Sequence, residues 1–182
     1  MRHTSSLLAS LALLLAACGD ADEAARTPPD VAAMTYAPDA QPYDPGLDAD
    51  AAVDEALARA AQTDRLVLIS MGGNWCPDCR VLSGMMKTGA LADYIDDRFE
   101  VVRVDVGRPV AEETGGGFAG YERNRAVAER FGQGAFEGVP TLLIVTPEGE
   151  VLNANEPSIF RNARDRNPQD LADYLHRYAS DA

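Results

Sequence analysis

Beyond residue 47 the hydrophobic positions fall into alternating helical and extended patterns. Residues 48–62, "DADAAVDEALARAAQ", combine strong helix formers with early acids that suit the positive end of a helix, and they predict a helix. "RLVLISM" (65–71), "EVVRVDV" (100–106) and "PTLLIVT" (140–146) are short β-branched and leucine runs that read as strands. Residues 80–99 predict a helix with apolar positions at Val81, Leu82, Met85, Met86, Leu91 and Ile95, bent or broken at Gly84 or at Thr88-Gly89. "YERNRAVAERFG" (121–132) predicts a helix stopped by Gly132. "PEG" turns the chain into "EVLNA" (150–154), a hairpin partner for the third strand. The last helix spans 167–179, with Pro168 and acids near its start and Arg177 near its end. Two parallel crossovers followed by a hairpin give an α/β domain, a mixed central sheet covered by helices. The segment 107–120 is long for a connection and reads as a surface insertion. Its "GGGFAG" lacks the lysine of a phosphate-binding loop, so a flexible loop is expected there.

The first residues follow neither pattern. Residues 1–17, "MRHTSSLLASLALLLAA", have a basic start and an apolar run too short for a comfortable permanent span, ending in small residues as an export signal does. "LAAC" (15–18) resembles the lipobox of bacterial lipoproteins, which implies that Cys18 becomes the first mature residue and carries lipid. A plain secretory signal with a chance cysteine is the alternative. Residues 18–46 are rich in Ala, Asp and Pro with little apolar period, and are expected to form a lipid-anchored flexible tether ahead of a domain at 47–182. The expected location is thus outside the cytoplasm, membrane-anchored with the domain in the periplasm, where thiols meet oxidising conditions.

Composition narrows the chemistry. The formal charge is −13, with Lys87 the only lysine, which argues against a phosphate-binding face and hence against nucleic acid. With Cys18 assigned to lipid, the redox-capable sulfurs are Cys76 and Cys79 in "WCPDC". A single Cys-x-x-Cys supplies half of a tetrahedral zinc site, and the remaining histidine, His176, lies far along in the last helix, where it reads as a solvent-facing polar residue. No metal or organic cofactor is implied. A staple across so short a loop restrains little of the unfolded chain, so stability is a poor reason for it. Placement supplies a better one. The pair opens a helix behind a buried strand, where unpaired N–H groups and the helix dipole favour a thiolate at Cys76. Cys79, one turn on, shares its face and is more sheltered. Cys76 is then the nucleophile and Cys79 the resolving thiol of a disulfide-exchange pair, with Pro77 tolerated in the first turn. Asp78, between the sulfurs, is expected to disfavour thiolates and make the dithiol a stronger reductant.

"WCPDC" after "LVLISMGGN", with "GVPTLLIV" some sixty residues later, resembles the thioredoxin superfamily over about residues 48–180, especially the thioredoxin-like domains of exported bacterial lipoproteins. The resemblance implies a thioredoxin-like fold in which Trp75 covers the active site. It also implies a cis-proline at Pro140, lying against the disulfide and leaving the backbone of Val139 free to pair with a bound peptide. It departs from the family at Ser70, where thioredoxins commonly bury an aspartate that handles the proton of the resolving thiol; Asp78, Asp105 or water are candidate substitutes. Arg80 stands where the family usually has a basic residue, and reads either as an aid to a thiolate or as a solvated helix residue. The expected function is a thiol–disulfide oxidoreductase acting on disulfides of exported proteins in the reducing or isomerising direction, a monomer supplied by an upstream redox partner. The alternative is a binding or assembly module with an inert disulfide.

Overall fold

The computed structural model describes residues 27–111, 113, 118–134 and 138–180. The expected signal peptide and Cys18 lie outside them. In chain order the elements are α1 (Ala49–Thr63), β1 (Leu66–Gly72), α2 (Pro77–Met86), α3 (Gly89–Arg98), β2 (Phe99–Asp105), β3 (Pro109–Ala111), β4 (Phe118–Tyr121), α4 (Arg125–Arg130), β5 (Thr141–Val145), a 3₁₀ turn (Ala163–Asp165) and α5 (Pro168–Ala179).

The main sheet has the order β2-β1-β5, with β1 central and buried throughout. It is the mixed, helix-covered sheet expected, with one difference: β2 runs parallel to β1, but β5 runs antiparallel. Only one parallel crossover is therefore made. The 107–120 segment contains strands, β3 and β4, which pair as a small separate hairpin.

Strand alternation sends successive side chains to opposite faces. On one face Leu66, Leu68, Phe99, Leu142 and Ile144 pack beneath α2, α3 and α5. On the other, Val67, Ile69, Met71, Val102, Val104 and Leu143 pack beneath α1 and α4. Local chemistry sets the helix ends. Asp48 accepts from Ala51 N at 3.1 Å to cap α1, and Asn167 and Asp170 form a reciprocal capping box on α5. The expected 80–99 helix is two helices, divided at Lys87-Thr88, with Gly89 at φ +52°. Gly84 makes no break; it answers to a different contact, described below.

The expected strand 150–154 is reduced to one bridge, Val145 to Val151. The cause is Asn153, buried at 1% exposure. Its side-chain oxygen accepts from Ile144 N at 2.8 Å and its amide nitrogen donates to Leu142 O at 2.8 Å, so a side chain shares the outer edge of β5 with the backbone, where Leu152 N donates to Ile144 O.

The packed region begins well before residue 47, so the expected domain boundary is corrected. Residues 27–46 lie along the domain as a strap. Val31 is buried in the core beneath α5, where Gln169 accepts from its N–H and donates to Pro29 O. Ala37 crosses α2 so closely that a Cβ on Gly84 would overlap Ala37 O. Asp39 accepts from Ser83 and Lys87, and its backbone is gripped by Arg80, whose carbonyl accepts from Asp39 N and whose Nε donates to Asp39 O. Burial pushes the Asp39 carboxyl up, but these hydrogen bonds outweigh it and hold it below its usual value. Apolar residues scattered among prolines carry no period, which is why the strap reads as tether.

Candidate active site

The C-terminal end of β1 delivers the chain to the site. Gly72-Gly73-Asn74-Trp75 forms the connection, and α2 begins at Pro77 with Cys76 as its N-cap. Cys76 Sγ accepts from Cys79 N at 3.2 Å, so a helix-terminal N–H is already aimed at that sulfur. The two cysteines form a disulfide with Cα atoms 5.3 Å apart. Cys76 is 4% exposed and Cys79 is fully buried, so Cys76 is the member a partner can reach.

The structure brings the other expected site residues to the same place. Trp75 is 36% exposed and is oriented by its Nε1, which donates to Gly107 O at 2.7 Å. The Val139–Pro140 bond is cis. Val139 O lies 3.9 Å from Cys76 Sγ, and Val139 packs against the cysteine pair. Asp78 does not stand free between the sulfurs. It is 8% exposed and accepts from Arg164 N at 3.0 Å and Arg164 Nε at 3.1 Å, which ties α2 to the 3₁₀ turn. Arg164 is held above its usual value chiefly by the hydrogen bond and charge of Asp78. The paired guanidinium offsets part of the charge expected to disfavour thiolates. Arg80 is spent on the strap, and His176 bonds Tyr94 Oη through Nδ1 at 3.0 Å instead of simply facing solvent.

Tyr43 and Arg103 escape sequence reasoning. Tyr43, from the strap, is 2% exposed and packs with Cys76 and Cys79 in one small cluster. Its hydroxyl bonds Ser70 Oγ at 3.1 Å, and Asn74 fixes its backbone by accepting from Tyr43 N and donating to Tyr43 O. Burial pushes the Tyr43 phenol up to about 12. Arg103, paired with Ser70 in the β1–β2 register, carries a buried Nε with no hydrogen-bond partner among the described residues, and burial holds its guanidinium below the usual range. The one available signal for Tyr43 was that it and Tyr36 are aromatic residues inside an otherwise Ala-, Pro- and Asp-rich stretch. Asp105, offered as a substitute proton acceptor, is committed elsewhere: it accepts from Gly107 N at 2.8 Å and from Arg123 at 2.7 Å.

Known proteins place this geometry. A family described as thioredoxin-like matches residues 48–147, over half of the chain. The chain belongs to the thioredoxin-like family. Among solved structures, a disulphide isomerase from Xylella fastidiosa Temecula1 is similar at 29% identity, covering 75% of this chain and 95% of its own, with a TM-score of 0.65. A thioredoxin from Wuchereria bancrofti aligns at 22% identity over 68% of this chain and 86% of its own, with a TM-score of 0.39. No curated protein matches. The family match begins at residue 48, so the strap lies outside it, although Tyr43 reaches the site that the thioredoxin-like fold builds.

Proposed function

We propose that this thioredoxin-like protein is a thiol–disulfide oxidoreductase that reduces or isomerises disulfides of exported proteins. The observation that carries the reading is the position of Cys76 as N-cap of α2, reachable at its edge, with a fully buried Cys79 one turn behind. A helix N-terminus stabilises a thiolate, and the Cys79 N–H already points at the Cys76 sulfur.

In the reduced protein the Cys76 thiolate attacks a substrate disulfide. A bond forms between Cys76 and one substrate sulfur, and the other leaves as a thiolate. Cys79 then attacks Cys76, re-forming the Cys76–Cys79 bond and releasing the second substrate sulfur with the electron pair. The substrate gains two electrons and two protons, which an upstream dithiol donor restores to the enzyme. Trp75 precedes Cys76 and Val139 packs against it, and with the cis Pro140 they would receive the substrate chain. The similarity to a disulphide isomerase at 29% identity supports the reaction class.

The sequence at residues 1–18 supports export and lipid anchoring through Cys18, with the domain held at a membrane facing the periplasm.

Expressing Cys79→Ser tests the reaction: the variant should accumulate mixed disulfides through Cys76 that dissolve on reduction, while the parent equilibrates with a glutathione redox buffer. A Cys76–Cys79 bond that never exchanges with glutathione, and no trapped partner, would leave only a binding or assembly module with an inert disulfide. Incorporation of labelled palmitate, abolished in Cys18→Ser, tests the anchor.

A further inference from the structure

The resolving step poses a problem that the cysteines alone do not solve. Once Cys76 is joined to a substrate, Cys79 must lose its proton in a place with no solvent exposure. An ordinary thiol has a pKa of about 8.5, and burial raises it further by penalising the charged form. A buried thiolate needs a donor beside it. Asp78 and Asp105, the nearby carboxylates considered above, are both bound to arginines.

Gly72 shows what faces Cys79 instead. A Cβ on Gly72 would overlap Tyr43 Oη and lie 2.9 Å from Cys79 Sγ. The phenol oxygen and the sulfur therefore both border Gly72, crowding the space that a side chain there would occupy, and they pack in one cluster. We propose that Tyr43, carried to the site by the strap and backed by Ser70, is the hydrogen-bond donor that stabilises the Cys79 thiolate during resolution. This rests on the redox function proposed above.

Tyr43 is suited to donate and not to act as a base, because burial keeps its phenol protonated far above neutral pH. With Ser70 donating to the phenol oxygen, the phenol hydrogen is free to turn toward sulfur. The charged groups acting on Tyr43 are Arg103 and Asp105 from β2 and Asp39 from the strap; Arg103 also feels Asp39 and Asp96. Arg103 favours negative charge here and the carboxylates oppose it. In the step, the Cys79 proton passes to water, the thiolate attacks Cys76 Sγ, the Cys76–substrate bond breaks, and the departing substrate thiolate takes a proton back from water. Tyr43 keeps its own proton throughout.

The test uses the reduced full chain and excess dithiobis(nitrobenzoate), which releases one coloured thiolate when Cys76 attacks and a second when Cys79 resolves. Tyr43→Phe keeps the ring and removes the hydroxyl. Losing a hydrogen bond to a charged group should slow the second release about tenfold at neutral pH and move its pH midpoint up by about one unit. The first release should stay within about twofold. Ser70→Ala, which keeps the phenol but removes its support, should slow the same phase less. The proposal is overturned if the second phase keeps its rate and pH dependence in Tyr43→Phe, or if both phases slow together with unchanged pH dependence. A parent protein that releases no thiolate at all would overturn the redox function itself.

Discussion

The two faces of the sheet are built from the same strands yet solve different problems. Beneath α1 and α4, β1 contributes Val67, Ile69 and Met71, each fully buried among apolar neighbours. On the opposite face the same strand begins with Leu66 and Leu68 and then turns polar and small, with Ser70 and Gly72 opposite Arg103 and Asp105 of β2. The first face closes by packing alone. The second leaves an opening at its end, where the cysteines sit, and a segment from outside the helix–strand framework closes it with a tyrosine. Both sides carry core, and the chemistry is confined to the end of one of them.

Substitutions on the two sides should separate these roles. Ile69→Ala, on the purely apolar side, should have the largest effect: a loss of about 2–5 kcal/mol in denaturant unfolding, with thiol release by the folded protein unchanged. A slowed second release in that variant would show that the faces are coupled. Gly84→Ala is expected to cost about 1–3 kcal/mol by forcing the strap off α2. It should also open residues 34–43 to proteolysis and slow Cys79 as Tyr43→Phe does; a strap still resistant to protease would refute the close-contact account.

Tyr43 also ties stability to alkaline pH. Its phenol titrates near 10 in the unfolded chain and about 12 in the fold. The stabilisation of the protonated form is complete below pH 10 and is lost as pH rises through 12. Tyr43→Phe should therefore flatten part of the stability loss between pH 10 and 12, with the raised Tyr94, Tyr121, Tyr174 and Tyr178 contributing to what remains. Identical alkaline slopes in parent and variant would count against a buried phenol. The smallest effect is expected from Arg164→Met. With Asp78 left unpaired, the dithiol should become more reducing by less than about 30 mV, a tenfold change in the exchange constant, read from glutathione equilibrium; a shift in the opposite direction would contradict the charge argument.

The sheet and its covering helices were legible because each buries a continuous apolar face, and a period survives any detail of packing. The sulfur pair was legible too, since a cysteine spacing ahead of a helix carries its own chemistry. The direction of β5 was not, because a strand's period says nothing about which way it runs. Strand 150–154 was cut short because Asn153 supplies from its side chain two of the hydrogen bonds a backbone would have supplied. Gly84 suggested a bend, whereas its lack of a side chain serves the passage of Ala37. The strap defeated the reading most completely: Val31 and Tyr43 act one at a time, far apart in sequence, and isolated anchors leave no rhythm to detect.

The latch between Val31 and Gln169 has a mechanical consequence. Any pull on the chain ahead of residue 27 meets that fastening before it reaches Asp39 and Tyr43. A protein hung from a surface by this end would bear its load at α5, leaving the phenol beside the sulfurs undisturbed.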